Sequence, residues 1–301
     1  MASSPLVLAI GQFDGIHLGH QAVFREAILA ANDLGGRADV LTFHPHVADL
    51  LTPSSPPLLL ATPEQNHSQI AACGIANVHS IPFTREFASM APSDFLALLK
   101  LEFPALAAIA VGLNFTFGKN RAGNAESLPS LAGNLGIAAI VVPHVEWKGL
   151  PISSTRIRAA VAEGDLSAAR AMLGRAFSIA GKVVRGRAVG RTLGFPTANV
   201  LPVLPIRPSP GVYAARLLLD GTSFPGAAFV PDTSDPEQSV FGNVVEIHLP
   251  GLSRDLYGAD VEVSFTRRLR GRIPFPTPAF ASAQLARDAA DALRADSEAY
   301  P

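Results

Sequence analysis

Cysteine is almost absent from this chain of 301 residues, and charge of either sign is sparse. Cys73 is the single cysteine, which excludes an intramolecular disulfide and a metal site built from several thiolates. The 24 basic and 25 acidic residues leave a formal net charge of −1, which gives no general attraction for nucleic acid or membranes. We therefore expect neither a nucleic-acid partner nor a membrane partner.

Long apolar runs are also missing. No uncharged apolar run approaches the roughly 18 residues needed to cross a membrane, and the first residues lack the pattern of a signal peptide. We therefore expect a cytoplasmic protein. The hydrophobic content of 48% predicts a globular fold, and the length suits one large domain or two ordinary ones.

The first half of the chain alternates short apolar runs with helical patterns. VLAI (7–10) and ADVLTF (38–43) flank a helical pattern over 17–36, which predicts a βαβ unit with parallel strands. Further apolar runs continue this alternation as far as IAAIVVPHV (137–145). The sequence therefore predicts an open, doubly wound α/β sheet over residues 1–176.

The second half, residues 177–301, has a different pattern. Short β-type segments follow one another closely and are separated by glycine and proline, which predicts a small antiparallel β-barrel or a sandwich. The segment from Pro278 to Glu298 has a helical pattern with proline at its start. We place a domain boundary near residue 176.

The stretch GQFDGIHLGH (11–20) directly follows the first predicted strand. Ligands of doubly wound sheets bind outside the carboxyl ends of the strands, and a helix that begins there offers N–H groups to phosphate. Gly15 and Gly19 allow close approach to the backbone, and His17 and His20 share one face of the first helical turn. A phosphate site, a metal site and an ordinary strand-to-helix junction all stay open. The further ligands that a metal site could use are His44 and His46.

The stretch ISSTRIR (152–158) begins a second helical pattern. Ser153 or Ser154 is a suitable N-cap, and the arginines after it have the shape that binds phosphate oxygens in pairs. An ordinary capped surface helix explains the same residues. Taken together with residues 11–20, the stretch predicts two helix N-termini that bind a triphosphate.

The segment GKVVRGRAVGRTLGFPTANV (181–200) repeats glycine every four residues. Its spacing is neither that of a Walker A loop nor that of a dinucleotide fingerprint. A loop over phosphates and a β-hairpin with glycine turns both fit. The residues concerned are Gly186, Gly190 and Gly194, with Arg187 and Arg191 between them.

Oxygen-bearing side chains follow this glycine-rich segment. Thr197 and Asn199 offer the ligands that Mg²⁺ prefers, and Glu246 lies in the apolar strand pattern NVVEIHL. Glu246 either faces solvent or acts as a general base. The basic cluster FTRRLRGR (265–272) is interpreted as a solvated strand end.

These stretches together resemble the bifunctional bacterial riboflavin kinase/FMN adenylyltransferase family, also called FAD synthetases. The resemblance covers nearly the whole chain, and the stretches occur in the family's order. They are GQFDGIHLGHQ (11–21), VGLNFTFG (111–118), ISSTRIR (152–158), GRTLGFPTAN (190–199), GVYAARLLLDG (211–221), VVEIHL (244–249) and DLYG (255–258). The resemblance implies a nucleotidyltransferase-type (Rossmann-like) domain over 1–176 and a riboflavin kinase barrel with a C-terminal helix over 177–301.

The resemblance implies two activities that use ATP as co-substrate and Mg²⁺ as cofactor. The first domain would transfer AMP from ATP to FMN, with His17, His20 and Arg158 stabilising charge on the phosphates. The second would phosphorylate riboflavin, with Glu246 as base and Thr197 and Asn199 holding Mg²⁺ and ATP. The residues at positions implied to bind ATP are Gly11, Phe13, Gly15, His17, His20, Asn114, Ser154, Thr155, Arg158, Gly186, Gly190, Thr197 and Asn199.

Three stretches depart from the family pattern. TFHPHV (42–47) has His44 at an acidic place, residues 226–243 lack the family's Arg-Pro-Thr, and LPGLSRDLYG (249–258) lacks its Asp-Phe. Two alternatives therefore stay open: an FMN adenylyltransferase with an impaired kinase domain, and a non-catalytic flavin-nucleotide sensor. The expected ligands are riboflavin, FMN, FAD and ATP, and the sequence also allows a homo-oligomer.

Overall fold

The computed structural model describes residues 4–186, 190, 193–232 and 244–299. Contacts divide the chain into two compact units, which are residues 1–57 with 63–153 and residues 58–62 with 154–301. The boundary expected near residue 176 stays a prediction, because contacts alone group residues 154–176 with the second unit. In the described part of the chain, no helix has the length and apolar character that a membrane span requires.

The first unit alternates strands and helices, as the sequence predicts. Its strands are β1 (Leu6–Ile10), β2 (Arg37–His44), β3 (Val78–Pro82), β4 (Leu106–Gly112), β5 (Thr116–Phe117), β6 (Gly123–Asn124), β7 (Ala138–Val142), β8 (Glu146–Trp147) and β9 (Leu150–Pro151). Its helices are α1 (Leu18–Asp33), α2 (Val47–Leu51), α3 (Pro63–Ala72), α4 (Arg85–Ala88), α5 (Pro92–Glu102) and α6 (Leu128–Gly133).

Five of these strands form one parallel sheet in the order β3-β2-β1-β4-β7. All five residues of the central strand β1 are buried, which explains its unbroken apolar sequence, since helices cover both faces of such a sheet. One core layer contains α1, and the other contains α5 and α6. The predicted doubly wound sheet is confirmed.

Helix α1 is positioned by its own sequence. Val23, Phe24 and Ala27 recur at helical spacing and are buried. The helix ends where Gly35 adopts a φ of +63°, a conformation that glycine tolerates best. The N-terminus of α1 follows β1 after the loop 11–17.

The second unit is a closed antiparallel barrel in the order β10-β11-β14-β13-β12-β15, so the barrel rather than the sandwich is correct. Its elements are α7 (Ser154–Glu163), α8 (Leu166–Leu173), β10 (Phe177–Val184), β11 (Thr197–Pro202), β12 (Gly211–Leu219), β13 (Thr222–Val230), β14 (Val245–His248), β15 (Asp260–Arg270) and α9 (Pro278–Ala299).

Helix α9 packs on the barrel through small side chains. Ala292 and Ala295 meet Ala214 in a small core, which allows close approach of the helix to the strands. Among the described residues, three ion pairs also join α9 to the barrel: Arg216–Asp296, Arg267–Glu298 and Arg270–Asp288. The helix is therefore held against the barrel wall at several separate points.

Candidate active sites

The loop between β1 and α1, residues 11–17, lies at the carboxyl edge of the parallel sheet. Strand β1 pairs with β2 on one side and with β4 on the other, so the strand order reverses beside this loop. Open α/β sheets bind ligands at such a point. Asn114 follows β4 at the same edge and is exposed. The fold thus brings the first two predicted ATP-binding stretches to the same edge of the sheet.

The backbone of this loop adopts unusual conformations. Gly15 has a φ of +78°, and the buried, β-branched Ile16 has a φ of +34°. Two side chains hold the pair: Asn66 Oδ1 accepts the Gly15 N–H at 2.9 Å, and Gln21 Nε2 donates to the Ile16 carbonyl at 3.0 Å. Asn66 lies on α3, and sequence reasoning missed it because no local pattern connects it with Gly15.

The two histidines of the loop form a stacked pair. Their ring centroids are 3.6 Å apart and their planes differ by 19°. His17 is the N-cap of α1 rather than part of its first turn, because its Nδ1 accepts the backbone N–H of His20 at 3.3 Å. The expected shared face is therefore present, with one ring fixed as a helix cap.

The hydrogen bonding of the pair determines where its protons lie. Since His17 Nδ1 is an acceptor, a neutral His17 carries its proton on Nε2. Within the described residues His20 Nδ1 is buried without a hydrogen-bond partner. Burial of the His20 ring, and secondarily the nearby His17, lower the pKa of His20 well below its usual range. His20 is therefore a neutral imidazole at pH 7.

Phe13 and two glycines pack around this pair. Phe13 is 6% exposed and meets His20 edge-on at 5.1 Å, so its ring supports the histidine. A Cβ at Gly11 would lie 2.9 Å from the Phe13 ring, and a Cβ at Gly19 would lie 3.1 Å from the His17 ring. Side chains at either glycine would therefore displace the aromatic rings.

The third predicted stretch begins helix α7, which is grouped with the second unit. Ser154 is half-buried and Thr155 is exposed at the helix start. Arg158 Nε donates to the Leu58 carbonyl at 2.7 Å, which ties segment 58–62 to α7. The roles of Ser154, Thr155 and Arg158 toward ATP stay predictions.

A metal site at the histidines receives no support from the geometry. His17 uses one ring nitrogen as a helix cap, and His46 Nδ1 accepts the Ala48 N–H at 3.2 Å in the same way. His44 is exposed. Throughout the described ranges, no cluster of three or more His, Cys, Asp or Glu side chains is placed to hold a metal ion.

The barrel brings Asn199 and Glu246 together. They are opposed residues on the neighbouring antiparallel strands β11 and β14, and Thr197 is opposed to His248 in the same register. Opposed residues of antiparallel strands point to the same side of the sheet. Asn199 is 8% exposed. Glu246 thus lines a cavity, and its role as a general base stays a prediction.

Two cavities meet at Thr197. The larger, about 570 Å³, is lined by Pro196, Arg254, Asp255 and Tyr257 among others. The smaller, about 280 Å³, is largely apolar and contains Asn199, Glu246 and Arg270. Thr197 borders both cavities.

The glycines near β11 are needed for close approach. A Cβ at Gly186 would lie 2.4 Å from the Asn199 side chain, and a Cβ at Gly190 would lie 2.3 Å from the Phe195 carbonyl oxygen. Gly190 O also accepts the Phe195 N–H at 2.7 Å. The predicted arginines of this loop, Arg187 and Arg191, lie outside the described residues.

The basic cluster 265–272 is only partly the solvated strand end that the sequence indicates. Arg267 and Arg268 are exposed, but Arg270 lines the smaller cavity and pairs with the buried Asp288. Nothing in the local sequence connects Arg270 with Asp288, because the contact joins a strand end to a helix 18 residues later.

Comparisons with known proteins agree with both halves of this description. A family model described as FAD synthetase matches residues 1–156, and one described as riboflavin kinase matches residues 173–295. A bifunctional riboflavin kinase/FMN adenylyltransferase of Escherichia coli strain K12 is 32% identical over 94% of this chain and 90% of the relative. The protein of that name from Bacillus subtilis strain 168 is 33% identical over 96% of this chain and 92% of its own length.

A solved structure shares the fold over nearly the whole chain. It is described as a macrolide-efflux protein from Streptococcus pneumoniae, has a TM-score of 0.83 and is 30% identical. The match covers 96% of this chain and 93% of the other. The resemblance drawn from the sequence motifs is confirmed: the chain belongs to the family of bifunctional riboflavin kinase/FMN adenylyltransferases.

Proposed function

We propose that the two units carry out the two reactions of this family in succession. The barrel transfers the terminal phosphoryl group of ATP to riboflavin, which gives FMN and ADP. The parallel-sheet unit transfers AMP from a second ATP to FMN, which gives FAD and pyrophosphate. The main support is the position of Thr197 between two cavities, beside the opposed pair of Asn199 and Glu246.

In the barrel, the larger cavity takes the nucleotide and the smaller one takes the flavin. The terminal phosphate then lies beside Thr197, and the primary hydroxyl of the ribityl chain lies beside Glu246. Glu246 accepts the proton of that hydroxyl as the oxygen attacks phosphorus, and ADP leaves. Asn199, buried next to Glu246, supplies an amide that orients the reacting groups.

The donor atoms at the junction of the cavities fit Mg²⁺. Thr197 offers a hydroxyl oxygen and Asn199 an amide oxygen, and their alternate positions on β11 place both on one face. Such oxygen ligands suit this cation, which also takes substrate phosphates and water. When bound, the ion would neutralise charge on the transferred phosphates. The phosphates must supply further ligands, since the described residues contain no complete metal cluster.

In the first unit, His17, His20 and the start of α1 bind the phosphates of ATP. The first turn of a helix provides N–H groups and a positive dipole end, and a neutral His17 provides an Nε2 donor beside the His20 ring. These donors stabilise negative charge on the α-phosphate and on the departing pyrophosphate while an FMN phosphate oxygen attacks. No nucleophile from the protein is required.

The start of α7 is assigned to the same reaction on the family motif. We expect Ser154 and Thr155 to offer hydroxyl groups, and Arg158 a guanidinium, to phosphate oxygens. Because both reactions consume ATP, we place the protein in the cytoplasm. A homo-oligomer stays a prediction.

The assay incubates the purified chain with riboflavin, ATP and Mg²⁺ and separates FMN from FAD. Glu246→Gln should reduce FMN formation by about 10²- to 10⁴-fold and leave the conversion of added FMN to FAD intact. His20→Asn should reduce the conversion of FMN to FAD and leave FMN formation intact. Glu298→Gln is the matched control, because Glu298 is exposed on α9 and pairs with Arg267. Failure of the wild-type chain to convert either flavin, or full FMN formation by Glu246→Gln, would contradict the assignment.

A further inference from the structure

The smaller cavity of the barrel has a cationic end that the phosphoryl transfer does not use. This end is Arg270, the last residue of β15. Its side chain is 19% exposed, and that of its partner Asp288 is 4% exposed. Removing a charged guanidinium from water costs free energy, so the presence of Arg270 at a mostly apolar cavity needs an explanation.

Arg270 is held in one orientation by α9. Its Nε donates to Asp288 Oδ1 at 2.8 Å, and its Nη2 donates to Asp288 Oδ2 at 2.6 Å. Gln284 Nε2 donates to the same carboxylate at 2.9 Å, which fixes Asp288 in turn. The guanidinium is thus preorganised by a bidentate pair that is itself supported.

The hydrogen bonds of Arg270 do not use all of its N–H groups. A guanidinium has five N–H groups. Two serve Asp288, and a third, on Nη1, donates to the Gly271 carbonyl at 2.9 Å. Among the described residues the remaining two N–H groups, one on each terminal nitrogen, have no acceptor. Arg270 can therefore bind a ligand oxygen without breaking its pair with Asp288.

The barrel register places Arg270 at a set distance from the catalytic pair. Glu246 is opposed to Phe229, Phe229 to Val212, and Val212 to Arg270. All these residues line the smaller cavity. Three strand spacings of about 4.8 Å give about 14 Å along the wall from Glu246 to Arg270. The cavity is therefore polar at Glu246, apolar along Phe229 and Val212, and lined at its other end by the Arg270–Asp288 pair, whose free N–H groups belong to Arg270.

The chemical groups of riboflavin follow one another in a matching order. Its ribityl hydroxyl reacts, its tricyclic ring is flat and apolar on both faces, and the pyrimidine edge of the ring carries two carbonyl oxygens. With the hydroxyl at Glu246, the ring lies along the apolar wall and its carbonyl edge reaches the cationic end. We propose that Arg270 is a specificity-determining residue that donates to a carbonyl oxygen on the pyrimidine edge of the flavin. This inference rests on the function proposed for the barrel.

A purely structural role is the main alternative, and the chain provides a matched control for it. Arg216 and Asp296 form a second ion pair between the barrel and α9, at 2.9 Å, with side chains 28% and 12% exposed. This pair joins the same helix to β12 and does not line the smaller cavity. A residue that only fastens α9 should behave in the same way at position 216 as at position 270.

The experiment compares Arg270→Lys with Arg216→Lys in the full chain. Lysine keeps the charge but not the bidentate geometry or the additional N–H groups. Arg270→Lys should raise the KM for riboflavin about ten-fold to a hundred-fold, as expected for loss of a charged hydrogen bond, with much smaller changes in kcat and in the KM for ATP. Arg216→Lys should lower the thermal midpoint and leave the KM for riboflavin within about two-fold.

A substrate comparison tests the inference without relying on the folding of any variant. Riboflavin analogues with sulfur in place of one pyrimidine carbonyl oxygen offer a weaker acceptor. The wild-type chain should bind one of them at least about ten-fold more weakly than riboflavin, and Arg270→Lys should lose this preference.

The possible failures are distinguishable. Equal binding of both thio analogues and riboflavin by the wild-type chain would overturn the role of Arg270 alone, as would equal effects of the two lysine variants on the KM for riboflavin. Absence of any riboflavin phosphorylation by the wild-type chain would overturn the function proposed for the barrel and this inference with it.

Discussion

Replacement of Asn66 by alanine should impair adenylyl transfer and leave riboflavin phosphorylation unchanged. Asn66 Oδ1 accepts the Gly15 N–H at 2.9 Å from a helix 51 residues later in the chain. Gly15 is followed by Ile16, whose φ of +34° is unfavourable for a β-branched side chain. The next residue is His17, the cap of α1 and half of the stacked histidine pair. The acceptor on α3 therefore restrains the loop that carries the two histidines proposed to bind phosphate.

The size of the effect follows from these contacts. Strain at a residue such as Ile16 costs about 1–3 kcal/mol, and a single hydrogen bond contributes about 1 kcal/mol. Without the Asn66 acceptor the loop can relax, and a shift of about 1 Å at reacting groups can cost about a hundred-fold in rate. We expect kcat/KM for FAD formation from FMN to fall about ten-fold to a hundred-fold, and the free energy of unfolding to fall by about 1 kcal/mol.

The bifunctional chain supplies its own control in this experiment. FMN formation and FAD formation are measured on the same preparation, so a general folding defect would lower both. Asn66→Asp retains an acceptor for Gly15 and should retain more adenylyl transfer than Asn66→Ala. Adenylyl transfer by Asn66→Ala within two-fold of wild type would refute the restraining role of the side chain.

Three further predictions concern residues of the two sites. Gly186→Ala should reduce riboflavin phosphorylation at least about ten-fold in the FMN assay, because the new Cβ would lie 2.4 Å from the Asn199 side chain; unchanged activity would contradict this packing. Thr197→Val should raise the KM for ATP and lower kcat in the same assay, since Thr197 lines both cavities; normal kinetics would remove Thr197 from the reaction. Folding lowers the pKa of His20, so the unfolded chain takes up a proton first as pH falls below about 6.5, and stability should fall there. Thermal midpoints between about pH 8 and pH 5 should therefore decline more steeply for wild type than for His20→Asn.

Much of the fold could be predicted because buried positions are occupied by apolar residues whose spacing differs between strands and helices. Strand β1 is buried along its whole length and is apolar throughout, and α1 repeats buried residues at helical spacing. The strand order β3-β2-β1-β4-β7 could not be predicted in the same way. It depends on which strands pair with one another, and the alternation of strand and helix patterns along the sequence does not contain that information.

The sequence could relate candidate site residues to one another only where they are close together in the chain. His17 and His20, or Thr197 and Asn199, are separated by one turn or one strand repeat, so local geometry relates them. The pairs Gly15–Asn66 and Arg270–Asp288 join separate elements and have no such periodicity. His17 also shows how a predicted site residue can have a structural role, since its Nδ1 caps α1 and only the rest of the ring is left for a ligand.

The assignments of Glu246 and Arg270 depend on one feature, the register of β13 between its neighbours. Phe229 is opposed to Glu246 on one side and to Val212 on the other, and Val212 is opposed to Arg270. A slip of one residue in β13 would turn its side chains to the opposite face of the barrel and remove Phe229 from the cavity wall. Glu246, the proposed base, and the Arg270–Asp288 end of the cavity would then no longer be joined by a continuous apolar surface. A bulky polar residue at Phe229 should therefore weaken riboflavin binding even though both ends of the cavity remain in place.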